Sequence, residues 1–315
     1  MYLSSLKMKG FKSYSEPISI EFDSRIAVLI GSNGVGKSNA LDAIVWALGE
    51  DDPQTLRIGS QGDLLFAGSH LTPPSQEAFV ELSFEDDTQQ LTVSRALGKF
   101  GSQDLFIGGN HIKNLDRFRG SLDEIGLGSI RQNIIRQEEL TDFFVKRATE
   151  RKEYLGKYLS SREDLDEINL LFETYMAALV PGCHARIDAN PHECEDVGVE
   201  VTFPDKGLKR GVLLSGGERA VAALALKLAL FRMGPSPAYL LDEVEPSLDW
   251  TRNHNMQELL KVVSQDRQLI IVTHARSTIR IANTVHGVRI RPDGSSWLKF
   301  HFVMDERLFK IYKCC

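Results

Sequence analysis

The chain has 315 residues, 42% of them hydrophobic and 25% charged, enough for one large domain or two modest ones with a real core. With 43 acidic and 37 basic residues its net charge is -6, so any nucleic-acid contact needs a local basic patch. The longest apolar run, Ala220 to Phe231, contains Lys227 and falls short of the ~20 residues that span a bilayer. Met1 to Lys7 lacks the apolar core of a signal peptide, so a cytosolic protein with no membrane partner is expected. Four cysteines make no disulfide framework in a chain of this length. Cys183-His184 and His192-Glu193-Cys194 are spaced too tightly for ordinary zinc ligands, and Cys314-Cys315 carries no C-a-a-X box.

Tyr2 to Lys9 and Ile18 to Phe22 alternate apolar and polar residues around Gly10-Phe11-Lys12-Ser13-Tyr14, the pattern of two half-exposed strands joined by a turn. Arg25 to Ile30 is a short apolar run of the buried parallel-strand kind. It leads into Gly31-Ser32-Asn33-Gly34-Val35-Gly36-Lys37-Ser38, which fits G-x4-G-K-[ST] at every fixed position, and Leu41, Ile44, Val45 and Leu48 then mark one face of a helix. Strand, loop and helix in that order predict a P-loop, whose backbone N–H groups and helix N-terminus face the phosphates of a nucleoside triphosphate. Lys37 then reaches the β- and γ-phosphates, and the Ser38 hydroxyl binds the bridging magnesium ion. A Gly/Ser turn that merely caps a helix is the plainer alternative, disfavoured by four fixed positions in the right local context.

Asp51-Asp52-Pro53 breaks the pattern, and Leu56 to Gly68 is a loop-rich passage carrying Arg57 and Asp63. Strands are expected at Ala78 to Phe84, Leu91 to Arg95 and Leu105 to Ile112, the last reversing at Gly108-Gly109-Asn110, which makes an antiparallel sheet beside the P-loop core. A helical pattern runs from Leu115 to Ile125, and Ile134-Ile135-Arg136-Gln137 is a short apolar step ending in an amide. Between Lys146 and Arg162 six basic residues face two acidic ones on an expected helix. That stretch is either a solvated face or a DNA-phosphate patch of Lys146, Arg147, Arg151 and Lys152. A further helix from Arg162 to Leu179 ends at Pro181-Gly182, and strands follow at Ala185 to Asp188 and Val197 to Phe203.

Leu213-Leu214-Ser215-Gly216-Gly217-Glu218-Arg219 runs into the Ala/Leu-rich helix from Ala220 to Phe231, with Ser215 placed as N-cap and the glycines leaving the helix N–H groups open to an anion. Ala238 to Glu243 is an apolar strand ending in two carboxylates. Asp242 is expected in the magnesium shell and Glu243 as the base for an attacking water. Gln268 to His274 is another buried strand, whose end puts His274 in the ligand crevice, where it either senses the γ-phosphate or serves a structural role.

Together these residues resemble the ATP-binding cassette superfamily, and in detail the heads of SMC (structural maintenance of chromosomes) proteins. Gly10 to Tyr14 is similar to the family's G-F-K-S-[FY], Gly31 to Asn39 to its P-loop G-x-N-G-x-G-K-S-N, and Leu213 to Arg219 to its L-L-S-G-G-E-[KR] signature. Leu48-Gly49-Glu50, the Leu56-Arg57 and Asp63 to Gly68 stretch, and Pro235-Ser236-Pro237 fit as well. The resemblance implies an α/β ABC-ATPase head: a P-loop mixed-sheet core, an antiparallel β subdomain and a helical signature lobe. It implies an N-terminal half over residues 1–145, a short basic helical connection over 146–169 where relatives carry a coiled-coil arm and hinge, and a C-terminal half over 170–315. It makes Lys12, Ser32, Asn33, Gly34, Gly36, Lys37, Ser38, Asn39 and Arg57 nucleotide-binding, Ser38, Gln137 and Asp242 magnesium ligands, and Glu243, Gln137 and His274 catalytic. Ser215, Gly216, Gly217 and Asp249 would contact ATP held by a second head. Glu245 to Asp249 and Arg136-Gln137-Glu138 depart from the usual family runs. The implied cofactors are ATP and Mg2+. The implied partners are a second head, a kleisin subunit and double-stranded DNA, in a cytoplasmic, nucleoid-associated protein most like bacterial condensin. An ATP-gated dimerisation module without turnover, a transporter ATPase and a DNA-repair relative are the alternatives.

Overall fold

The computed structural model describes residues 1–304 except 139, 157, 159–160, 190–196, 205–206, 211–212 and 246–248, and the elements below are those of the described residues. Two compact units interleave along the chain. The first comprises residues 1–134, 236–242 and 264 onward, and the second residues 135–235 and 243–263.

In the first unit, β1 (Tyr2–Lys9) pairs antiparallel with β2 (Ile18–Glu21) and with β4 (Glu77–Glu85). The sheet continues through β5 (Gln90–Gly98), β6 (Gln103–Ile107) and β7 (Asn110–His111) in the order β2-β1-β4-β5-β6-β7. Most of β1 is buried, where its alternation suggests half exposure: consecutive residues Leu3 to Leu6 are covered, so both of its faces are packed there. A second sheet is built on β3 (Ile26–Ile30), with all but the last residue buried as its continuous apolar run requires. Parallel to it run β13 (Gln268–Thr273) and β14 (Thr284–Ile290), with β12 (Ala238–Asp242) parallel to β13 on one side. Antiparallel β15 (Ser296–Val303) closes the other edge beside β14. Short β8 (Ile134–Arg136), the sheet's remaining strand, leaves the unit after Ile134.

Helix α1 (Lys37–Ala47) contacts β4 and β5 of one sheet and β12 and β13 of the other. Its periodicity marks one apolar face, yet the residues from Ala40 to Ala47 are all buried, because both flanks are covered by sheet. Past its C-terminus, Gly49 turns the chain at φ 97°, and three guanidiniums take up carbonyls there. Arg95 Nη1 donates to Trp46 O and Glu50 O, both at 2.8 Å, with its guanidinium 4.7 Å over the Trp46 ring. Arg119 Nε donates to Gly49 O at 2.7 Å, and Arg131 Nη1 to Leu48 O at 3.1 Å. Cations at this end complement the helix dipole and satisfy acceptors that a helix terminus leaves open. Arg119 lies on α2 (Leu115–Glu124), which Asn114 caps by accepting from Arg117 N–H at 2.8 Å.

The second unit contains α3 (Asp142–Val145), α4 (Ala148–Gly156) and α5 (Arg162–Leu179). A three-stranded antiparallel sheet follows, β9 (His184–Ala189), β10 (Val197–Phe203) and β11 (Gly207–Arg210), then α6 (Gly216–Met233) and α7 (Trp250–Val263). Helix α5 packs on α6, α7 and β9. Ser161 and Asp164 cap α5 reciprocally, the Ser161 Oγ accepting from Asp164 N–H at 3.1 Å and the Asp164 carboxylate from Ser161 N–H at 2.7 Å. The basic stretch is therefore not one helix. Lys146 ends α3, Arg147 precedes α4, and Arg162 opens α5 behind its own cap. Exposed, largely polar β11 and the weakly periodic α7 lie outside the sequence-based assignment.

One buried group gives the first unit a pH dependence. His286 on β14 is 0% exposed, sits 4.7 Å from the His301 ring and 5.7 Å from Phe22, and neither ring nitrogen has a hydrogen-bond partner among the described residues. Burial, and secondarily His301, pull its pKa from 6.5 down to about 3. Between those values the unfolded chain binds a proton that the folded chain refuses, so stability is lost as pH falls, by up to about 1.4 kcal/mol per pH unit. Urea melts between about pH 7 and about pH 4 should show a shallower decline for His286→Leu than for the wild type. Equal slopes would contradict a buried neutral imidazole.

Candidate nucleotide site

Three chain segments meet at one edge of the β3 sheet because their strands are parallel and in register. Ile30 lies opposite Thr273 and Asp242 opposite Val272, so the P-loop after β3, the His274 segment after β13 and the end of β12 share the carboxyl edge. That is the edge where open α/β sheets bind ligands. Ser32, Asn33 and Gly34 are exposed, whereas Lys37 is 3% exposed and donates from Nζ to Gly31 O and Ser32 O, both at 3.0 Å. Gly36 sits at φ 95°, and a Cβ there would lie 2.3 Å from Ser296 Oγ and 2.5 Å from Ser13 Oγ, so only glycine fits.

The loop is clamped from outside. Tyr14 Oη donates to Gly36 O at 3.0 Å, Ser296 Oγ lies 2.8 Å from Val35 O, and Asn39 Nδ2 donates to Ser13 Oγ at 2.8 Å. Burial pushes the Tyr14 phenol pKa upward, which keeps it a hydrogen-bond donor. The turn at Lys12 is thereby tied to the P-loop and the start of α1 through Ser13 and Tyr14, the two residues that follow it.

Ser38 Oγ donates to Asp242 Oδ1 at 2.8 Å. A hydroxyl beside a carboxylate is a hard-oxygen pair of the kind that magnesium takes alongside water and phosphate oxygens, so these residues fit that ion. Lys12 Nζ lies 2.6 Å from Asp42 Oδ2 and also donates to Leu56 O. Arg57 bridges the two acids, 2.8 Å from Asp42 Oδ2 and 3.8 Å from Asp242 Oδ2. Asp42, 0% exposed on α1, thus gathers Lys12 and Arg57. Sequence reasoning missed Asp42, Ser13, Tyr14 and Ser296. The signal for Asp42 was available: it is the lone acid in α1, one turn beyond Ser38 on the same face. His274 is exposed at its strand end.

The remaining expected residues lie in the second unit. Ser215 caps α6, and its N–H donates to Glu218 Oε2 at 2.9 Å, with Lys209 Nζ 3.0 Å from the same oxygen. Ser215 and Gly216 are exposed, so the helix N-terminus stands open as the glycine pair suggested. Asp249 is exposed and accepts from Arg252 N–H at 2.9 Å, at the start of α7. Gln137 is exposed after β8, and Glu243 is half-buried. Among the described residues, the non-glycine positions with positive φ are Lys12 at 48°, Arg57 at 54° and Glu243 at 51°. All three belong to the expected site, where backbone strain concentrates in folded proteins. In the basic stretch, Arg147 lies 3.7 Å from Glu150 and Arg151 donates to Lys146 O at 3.0 Å.

Residues 2–296 match the family described as RecF/RecN/SMC N terminal domain. The chain belongs to this family. Within it, the chromosome partition protein Smc of Halothermothrix orenii is 33% identical over 180 residues, 53% of this chain and 15% of that protein. Its counterpart in Mesomycoplasma hyorhinis is 43% identical over 101 residues, 30% of this chain and 10% of that protein. The matched segments are thus a small part of those relatives' length. Among solved structures, an SMC head domain from Thermotoga maritima covers 97% of this chain at 30% identity and TM-score 0.72, with all of that chain matched. An Smc head solved bound to the C-winged helix domain of ScpA covers 98% of this chain at 28% identity and TM-score 0.88, again with all of that chain matched. The fold is therefore that of an SMC head, the α/β ABC-ATPase architecture with its P-loop on a mixed sheet.

Asp42 offers a test of the cluster. Replacing it with alanine leaves Lys12 and Arg57 without their shared carboxylate, and breaking a buried pair of this kind costs about 3 kcal/mol. Asp42→Ala should lower the urea midpoint accordingly, and Lys12→Met in that background should recover part of the loss. A variant as stable as the wild type would remove Asp42 from the centre of the cluster.

Proposed function

We propose that the chain is the ATP-binding and ATP-hydrolysing head of an SMC protein of the bacterial chromosome-partition type, engaging a second head around two Mg-ATP. The observation that carries this reading is the pairing of Ser38 with Asp242 directly beneath the P-loop, 2.8 Å apart, in a chain that belongs to the SMC family. Lys37 and the backbone N–H groups from Ser32 to Ser38 bind phosphate, and Asn39, Lys12 and Arg57 complete the nucleotide side. When bound, magnesium neutralises charge on the phosphates and orients them. The Glu243 carboxylate accepts the proton of the attacking water, with Gln137 positioning that water and His274 near the γ-phosphate. The exposed N-terminus of α6 at Ser215, Gly216 and Gly217, with Asp249, reaches ATP on the second head.

In the intact protein, engagement and release of heads would drive DNA loading and chromosome segregation in the cytoplasm. The ScpA complex of the similar Smc head supports a kleisin partner. Among the described residues no helix is long and apolar enough to cross a membrane.

Light scattering with and without Mg-ATP, on the wild type and on Glu243→Gln, tests the shared site. The expected result is an ATP-dependent dimer that persists in the variant, with a wild-type ATPase rate per molecule that rises with protein concentration. A concentration-independent rate contradicts the shared site, and a wild-type dimer without turnover favours an ATP-gated module instead.

A further inference from the structure

Lys209 stands on the inward face of the second unit's sheet. In the pairing of β10 with β11, Val201 lies opposite Lys209 and Phe203 opposite Gly207. Residues opposite each other in antiparallel strands project to the same side, as do residues two apart along a strand. Lys209 therefore shares a face with Val201 and Phe203, both buried, while its neighbour Leu208 stands on the other, exposed face. A cation at an inward position costs free energy unless it is paired.

Its partner is Glu218, in the first turn of α6. Lys209 Nζ lies 3.0 Å from Oε2 and 3.2 Å from Oε1, and 5.9 Å from the centre of the Phe203 ring. The Glu218 side chain is 2% exposed, and its Oε2 also accepts from Ser215 N–H at 2.9 Å. That bond holds the carboxylate at the N-terminal end of α6, close to the N–H groups of Gly216 and Gly217. A carboxylate there steadies the helix start by opposing its dipole. Left uncompensated, the same charge repels a phosphate that approaches those N–H groups. Cap and anion site thus conflict, and a cation held on the carboxylate resolves the conflict.

We propose that Lys209 is a positioning residue for the shared ATP site. It fixes and neutralises Glu218, so that Glu218 caps α6 while the helix N-terminus stays electropositive toward the γ-phosphate of ATP on the second head. This rests on the two-headed reading above and adds to it a residue from β11, outside the signature segment Leu213 to Arg219.

The test is a charge cycle read by analytical ultracentrifugation of the full chain with magnesium and a non-hydrolysable β,γ-imido analogue of ATP. Lys209→Met, which leaves Glu218 uncompensated, should weaken the nucleotide-dependent dimer at least about tenfold, since a two-fold dimer uses the pair twice. Glu218→Gln keeps an amide oxygen to accept from Ser215 N–H and should dimerise at least as well as the wild type. Combining the two should recover most of the wild-type affinity, and Lys209→Arg should keep it. The double variant buries neither charge, so it covers the case of a Lys209→Met chain that fails to fold. Binding of a fluorescent ATP analogue to the monomer, at low protein concentration, should be the same in all four variants. A double variant with a dimer much weaker than the wild type's, or a Lys209→Met chain that dimerises like the wild type, overturns the role of Lys209 and leaves the two-headed reading standing. So does a weakened dimer in Glu218→Gln, or a matching loss of nucleotide binding by the Lys209→Met monomer. A wild type that binds the analogue yet stays monomeric overturns the shared site and the role of Lys209 together.

Discussion

A phosphate loop works only if its N–H groups stay unpaired and aimed at an empty position, and that requires the helix behind them to be fixed by everything except the ligand. Helix α1 meets the requirement at both ends and along its flanks. Two sheets bury it, and Tyr14 and Ser296 bond to the carbonyls of Gly36 and Val35 at its start. Arg95, Arg119 and Arg131 take up the carbonyls of Trp46, Leu48, Gly49 and Glu50 at its end. Charge-assisted hydrogen bonds to carbonyls are stronger than neutral ones, and at this end of a helix they also oppose its dipole. The N-terminal N–H groups are thereby left for an anion without loss of order in the helix.

The charges around the loop are arranged for the same end. Asp42 and Asp242 stand on neighbouring elements and share Arg57, so the two acids are partly balanced within the protein. Lys12 and Arg57 reach Asp42 from turns whose backbone lies at φ 48° and 54°. Such conformations cost about 1–3 kcal/mol each for residues with a Cβ. They persist because the turns are closed by hydrogen bonds, Lys12 N–H to Leu64 O at 2.8 Å and Arg57 N–H to Gln54 O at 3.0 Å. Strain at Lys12 and Arg57 is thus carried by the hydrogen-bonded turns that hold them.

Much of this was legible in the sequence where a local signal fixes a local result. The P-loop, the apolar runs of β3, β12 and β13, and the bounds of β1, β10 and α5 follow from motif, hydropathy pattern and capping residues. What was not legible depends on packing between distant segments. The periodicity of α1 gave one apolar face, and only the second sheet explains the burial of the rest. The place of Asp42 depends on Lys12 and Arg57, distant in sequence, which meet at its carboxylate. The basic run from Lys146 to Arg162 read as one helix because charge carries no information about the breaks at Gly156 and Ser161.

The most direct test is ATP affinity by titration calorimetry with and without magnesium, on the wild type and on Asp242→Asn. If Ser38 and Asp242 form the ion's place beneath the P-loop, magnesium should tighten ATP binding by the wild type at least about tenfold, about 1.4 kcal/mol. The variant should bind metal-free ATP as well as the wild type does but gain little from magnesium. The same magnesium gain in Asp242→Asn, or no ATP binding by the wild type, would contradict a preassembled nucleotide site.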